Sequence, residues 1–463
     1  MNRFAFMALG MLVACGGDER TRTGGAGRGR GDGGTRHDQL AGEAVAKFDQ
    51  AVRAYREAAT AGWNEARCTN VADLFQEAAE EQEGGNFHEA WFNRGMSFHN
   101  CGKSEEATEA FRRSLQAKDA FGPPRVMLGI YAHRRGNAGE AFRMFEQTIR
   151  NDPQNVEAYT NLAMLQRERN QGRDGTESLS NIRRALAVDA QYMPAFNQLA
   201  LLYLGQAEDE RATLQLASVV CKQGTQIDAN YAPIWNTWGL VNMQEGSIIG
   251  ALAKFEKAFQ LNDRFFEAYM NFGAITLSFR GYEDAKTAFT KAMGLNRRSY
   301  EAHIGLGVAL RGLDQVEPAK VEYEAAKDID SARPDSYFNL GILYQDYMSG
   351  SVEEFQKAKQ YLNEFSQRAQ GRPQYADNVR ASQQRVRNID ETIAALREGM
   401  ELQRIADQQA ARQAVEDARI CREDPANCPT NLEGVPPEEG AEPAPAPAPA
   451  PAASASAGPT KAP

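Results

Sequence analysis

An all-α solenoid of stacked helix pairs is the fold this sequence predicts, on three observations. A small residue returns with a period of 34 at Gly239, Gly273, Gly307 and Gly341, and the register runs upstream through Gly95, Gly129, Ala163 and Ala200. Four residues before each lies a mostly aromatic column: Trp91, Arg125, Tyr159, Phe196, Trp235, Tyr269, His303 and Tyr337. Twelve residues after comes a second small column, Ala107, Ala141, Ala251, Ala285 and Ala319, followed one turn later by Phe111, Phe145, Phe255, Phe289 and Tyr323. Glycine or alanine lets two antiparallel helices approach closely, and the ring of one fills the gap on the other.

Counting the first small residue as position eight of each unit, the pattern resembles the tetratricopeptide repeat. That resemblance implies a right-handed superhelix whose first helices line a concave face. Two spacings are longer, 37 from Ala163 to Ala200 and 39 from Ala200 to Gly239, and the extra residues near Gln171 to Gly175 and Gly205 to Arg211 read as lengthened turns within a repeat. Pro153 sits where the family's pattern places its turn proline; most other units have Asp, Asn or Ala there.

Taken along the chain, residues 1–14 read as a signal peptide: Arg3 supplies the positive end, Phe4 to Ala14 is apolar, and Leu12-Val13-Ala14-Cys15 resembles a bacterial lipoprotein box. The resemblance implies cleavage before Cys15 and lipidation of its thiol and new amine. At about 0.8 kcal/mol per buried methylene, three acyl chains anchor a protein firmly. Gly16 in place of Asp points, by the sorting rule of enteric bacteria, to the outer membrane facing the periplasm. Residues 15–39 form a Gly/Arg-rich tether almost without apolar side chains, unable to bury a core. Its Gly29, Gly31 and Gly34 spell a dinucleotide-type pattern that lacks the strand and helix the motif requires, and Arg30-Gly31-Asp32 is a coincidence of composition.

Residues 40–87 carry helical apolar spacing, Val45, Phe48, Val52 and Tyr55, then Val71, Leu74, Phe75 and Ala78, and read as a divergent helix pair. Residues 88–372 hold eight repeats. Residues 373–420 are expected to form capping or protruding helices, broken only at Gly399. Residues 421–463 hold a cysteine pair and an alternating Pro/Ala tail, extended or disordered because Pro fixes φ and lacks an amide hydrogen.

The net charge of −10 argues against nucleic acid, which calls for clustered Lys and Arg. With Cys15 lipidated, five cysteines remain. Cys421 and Cys428 close a short loop and are expected to form a local disulfide in an oxidising compartment; Cys221 falls in the aromatic column of a second helix and is expected to be buried and free. Cys68 and Cys101 meet only if the divergent pair stacks on the first repeat. His99, His133 and Cys101 offer three ligands to a zinc ion, but a fourth is missing, and two polar groove residues is the preferred reading. No catalytic motif emerges, and neither cofactor nor small-molecule substrate is expected.

Function is therefore expected on the concave face. Position five reads Phe92, Val126, Thr160, Asn197, Asn236, Met270, Ile304 and Phe338, and position nine Met96, Ile130, Met164, Leu201, Leu240, Ala274, Val308 and Ile342. Such a floor suits an extended peptide or an amphipathic helix, with Asn93, Asn161, Asn271 and Asn339 at position six offering amides to its backbone. The lysines of a carboxylate clamp are absent. The complete layout resembles the tetratricopeptide lipoproteins, including that of the adventurous gliding-motility machinery of myxobacteria. That resemblance implies a periplasmic adaptor that binds envelope proteins, motility-complex subunits among them. The alternative is a pilotin-like factor that escorts an outer-membrane secretin or barrel protein.

Overall fold

The computed structural model describes residues 40–169, 175–207, 211–348 and 350–428. The signal peptide, Cys15, the tether and the Pro/Ala tail lie outside them. The described residues form an all-α array of the tetratricopeptide type. The chain divides into two compact units, Met1–Gly350 with Glu354–Val386, and Ser351–Glu353 with Arg387–Pro463.

In the first unit α1 (Gly42–Ala61) and α2 (Glu65–Glu81) form a leading pair. Eight pairs follow, each a first helix A and a second helix B: α3 (His88–Asn100) with α4 (Ser104–Ala117), α5 (Gly122–Arg134) with α6 (Ala138–Asn151), α7 (Val156–Arg169) with α8 (Thr176–Val188), and α9 (Met193–Gln206) with α10 (Arg211–Ile227). Then come α11 (Ala232–Gln244) with α12 (Ile248–Leu261), α13 (Phe266–Ser278) with α14 (Tyr282–Leu295), α15 (Tyr300–Gly312) with α16 (Val316–Ile329), and α17 (Asp335–Asp346) with α18 (Val352–Ala369). Each helix packs on the next in sequence, and neighbouring A helices also touch directly.

The register residues show why the pairs close. A Cβ placed on Gly129 would lie 2.6 Å from the Phe145 ring, on Gly239 2.5 Å from Phe255, and on Gly307 2.5 Å from Tyr323. No side chain can occupy that space while the ring does. Where the small residue is alanine, the facing ring is gone: Ala163 packs in one cluster with Ile182, and Ala200 with Cys221, all fully buried. Ser178 replaces the second small residue of that third unit and donates to the Ala163 carbonyl at 2.9 Å. The eighth unit makes the same exchange after a longer turn, setting Leu362 against Gly341.

Two turn columns complete the repeat. Between units, Asp152, Asp189, Asp228, Asn262, Asn296 and Asp330 each accept from the backbone N–H two residues on, at 2.8–3.1 Å. These Asx turns hold the chain in place without a helical partner. Within units, Gly102, Gly136 and Gly246 adopt positive φ, and the equivalent Arg280 and Asp314 do so without being glycine, at 61° and 59°. A non-glycine residue there costs roughly 1 kcal/mol. Asp314→Gly is expected to raise the urea midpoint by the equivalent of about 0.5–1 kcal/mol.

The long spacings are accommodated differently from one another. In the 37-residue unit α7 and α8 keep 14 and 13 residues, but the 39-residue unit spends three of its extra residues lengthening α10 to 17, against 14 in α12, α14 and α16. Of the leading pair, Ala72 of α2 belongs to the core that holds Phe98, Phe111 and Val126, and a Cys68–Cys101 disulfide ties α2 to the end of α3. Cys221 is buried and free.

Past α18 the chain turns through Pro373–Tyr375 into α19 (Ala376–Glu423), a single 48-residue helix. Its start seals the last pair: Tyr375 meets Phe365 edge-on and donates to Asp335 at 3.1 Å, and Arg385 reaches Gln345 at 2.8 Å. Gly399 does not interrupt the helix, because one glycine costs only about 1 kcal/mol in a long run of Glu, Gln, Ala and Arg. In the second unit α19 is braced by pairs along its own surface, Arg404 with Glu401 and Arg419 with Glu416. Cys421 is the third-last residue of that helix, bonded to Cys428 just past the short Pro425–Asn427 turn. Among the described residues no helix is long and apolar enough to cross a membrane.

Candidate docking groove

The A helices carry positions five and nine on one face, four residues apart, so the two columns form a continuous strip from helix to helix. The structure divides that strip. On α5, α7 and α9 it is core: Val126, Ile130, Thr160, Met164, Asn197 and Leu201 are all less than a tenth exposed. Long polar side chains bridge these helices, His133 to Glu168 at 3.3 Å and Arg167 to Gln198 at 3.4 Å. From Leu240 of α11 onward the strip opens, whereas Asn236 at position five of α11 is fully buried. Leu240, Met270, Ala274, Ile304, Val308, Phe338 and Ile342 are all partly exposed, as are Phe92 and Met96 at the other end. An apolar surface that runs over three successive A helices, together with Leu240 of α11, is what a partner segment can bury.

The asparagines expected to meet a partner's backbone all make hydrogen bonds inside the fold, and burial corrects the assignment of Asn161 and Asn236. Asn93, Asn161 and Asn339 donate to the carbonyls of Glu89, Glu157 and Asp335 at 2.8–2.9 Å, four residues back on their own helices. Asn236 is fully buried and accepts from Asn271 at 3.0 Å. Asn161, only 3 % exposed, is equally out of reach. Of the predicted site residues, Phe92, Met96, Met270, Ile304 and Phe338 keep accessible apolar surface, while Asn161 and Asn236 do not.

The histidines have protein partners too. His99 Nδ1 lies 2.8 Å from the Tyr131 hydroxyl, and burial together with Arg134 lowers its pKa. Cys101 is held in its disulfide, so the three-ligand zinc arrangement is dismantled. Arg167 is largely covered on the closed part of the face, with Glu168 4.0 Å away, and desolvation lowers its pKa.

One polar group of the open strip escaped the sequence reading. Glu267, in the first turn of α13, shares a face with Met270 and Ala274, and burial pushes its pKa up, opposed only by its own backbone N–H. The signal was available as an acid recurring at position two, in Glu89, Glu157, Glu267, Glu301 and Asp335.

The chain carries tetratricopeptide repeats. The repeat's family pattern matches residues 88–121 and again 144–174. Similar solved structures include a thermophilic tetratricopeptide-repeat protein from Thermus thermophilus, 22 % identical, covering 41 % of this chain and all of that one with a TM-score of 0.38. PilF of Pseudomonas aeruginosa is 19 % identical over 48 % of this chain and 95 % of its own, with a TM-score of 0.40. A tetratricopeptide repeat protein from Parabacteroides merdae is 14 % identical over 58 % and 98 %, with a TM-score of 0.36. No curated protein matches the chain. Nothing in these comparisons supports a place in the gliding-motility machinery.

Proposed function

We propose that this protein is a non-enzymatic scaffold, lipid-anchored in the bacterial envelope, that docks partner proteins on the strip formed by α11, α13, α15 and α17. The observation that carries the reading is the contrast within one structural column: the same positions are core on α5, α7 and α9 and partly exposed on α13, α15 and α17, with Leu240 of α11 partly exposed as well. The chemistry on offer is noncovalent, apolar contact edged by one carboxylate. The lipobox motif ending in Cys15 supports anchoring, and two disulfides suit an oxidising compartment such as the periplasm.

Two experiments test the reading. Cys15→Ala is expected to move the protein from membrane pellets to the soluble envelope fraction; continued pelleting contradicts the anchor. Crosslinking intact envelopes, followed by purification through a tag after Pro463, is expected to recover several envelope proteins stably. Recovery of a single transient secretin or barrel client supports the pilotin-like alternative instead.

A further inference from the structure

On α13, α15 and α17 the open strip is apolar at positions five and nine and carries an acid at position two. Acids at position two lie at the start of the A helices, on the same face as positions five and nine. Most are engaged by neighbours. Glu301 is bonded to Arg333, Asp335 lies 3.8 Å from Arg333 and accepts from Tyr375 at 3.1 Å, and Glu89 lies 2.9 Å from His88. Glu267 differs. It is partly buried and makes no ion pair among the described residues, and burial pushes its pKa up. A partly buried carboxylate on an otherwise apolar helix face is unfavourable unless a positive charge meets it. Met270 stands one turn along the same face, and Ile304 takes the corresponding place on the next A helix.

We propose that Glu267 is the charge anchor of the groove, pairing with a lysine or arginine on an otherwise apolar segment of a partner protein seated on Met270, Ala274, Ile304 and Phe338. This rests on the docking reading above and adds the partner's chemistry: an apolar stripe with a basic residue at one end. The arrangement is selective as well as adhesive. An acidic segment would be repelled, and an uncharged one would leave the carboxylate desolvated and unpaired.

The test is a random peptide library displayed on phage and panned against the immobilised full-length protein, with the affinity of one enriched peptide then measured by fluorescence anisotropy. Enriched peptides are expected to combine apolar residues with Lys or Arg. Glu267→Gln is expected to weaken binding by about tenfold or more, and Glu267→Lys to turn selection toward peptides with Asp or Glu. Circular dichroism of each variant is expected to match the parent. If Glu267→Gln changes affinity less than about twofold while Ile304→Asp abolishes binding, the charge anchor is overturned and the groove stands. If peptides bind equally well to Ile304→Asp and Phe338→Asp, or none is enriched, the groove reading itself fails. Self-association in the ultracentrifuge that Glu267→Lys removes makes a second copy the occupant and overturns the foreign partner.

Discussion

Phe289→Ala is expected to cost about 3–5 kcal/mol of unfolding free energy. The Phe289 ring is clasped from both sides by residues without a Cβ: a Cβ would stand 2.9 Å from it at Gly273 in its own repeat and 2.5 Å at Gly305 in the next. The ring is 2 % exposed, so its removal leaves a cavity walled by helix backbone, which collapses poorly. The loss should be local, since each repeat is coupled mainly to its neighbours. Hydrogen exchange is the suitable readout, because a repeat array need not unfold in one step. Amides of α13 to α16 should lose protection, and those of α3 to α6 should keep theirs. The exchange seen naturally at Ala163 and Ile182 also sets an expected coupling. Gly273→Ala overpacks against Phe289 and is expected to cost about 1–3 kcal/mol alone, yet much less beside Phe289→Ile. Strict additivity of the two would contradict the packing account.

The second large effect is expected from the disulfide between Cys68 and Cys101, which closes a loop of sequence separation 33. Combining Cys68→Ser with Cys101→Ser is expected to remove about 3–4 kcal/mol, chiefly by freeing the unfolded chain. The leading pair should suffer most, because the disulfide ties α2 to the first repeat. Limited proteolysis is expected to cut this double variant between α1 and α3 long before the parent. Equal cleavage of the two proteins would show that packing of Ala72, Ala78 and Ala79 against the first repeat alone retains the pair.

Much of the array was legible because its columns are set by contacts inside one repeat. Glycine against aromatic is such a contact, and a period of 34 reports it directly. The eighth unit was harder to read, since a longer turn shifts Ala358 and Leu362 out of register. The Asx turns were also visible as a column, Asp152 through Asp330, but a turn residue shows no hydrophobic period to draw attention to it. The openness of the groove was not legible. Val126 and Ile304 occupy equivalent positions, yet one is core and the other is partly exposed, because that depends on how side chains of neighbouring repeats reach across. Asn161 failed as a site residue for a related reason: an amide at position six also fits the carbonyl four residues before it. Glu267 is distinguished from Glu301 only by the absence of a nearby cation, and Arg333, which serves Glu301, lies 32 residues away in sequence.

The most direct test of the docking claim is a photo-crosslinking amino acid placed in the living cell, at Ile304 in one strain and at Ile130 in another. Both sites hold apolar strip positions of A helices, one open and one closed. The account predicts a discrete protein adduct from position 304, lost when Phe338→Asp is added, and none from position 130. Adducts of equal yield from both positions, or an adduct at 304 that survives Phe338→Asp, would contradict it.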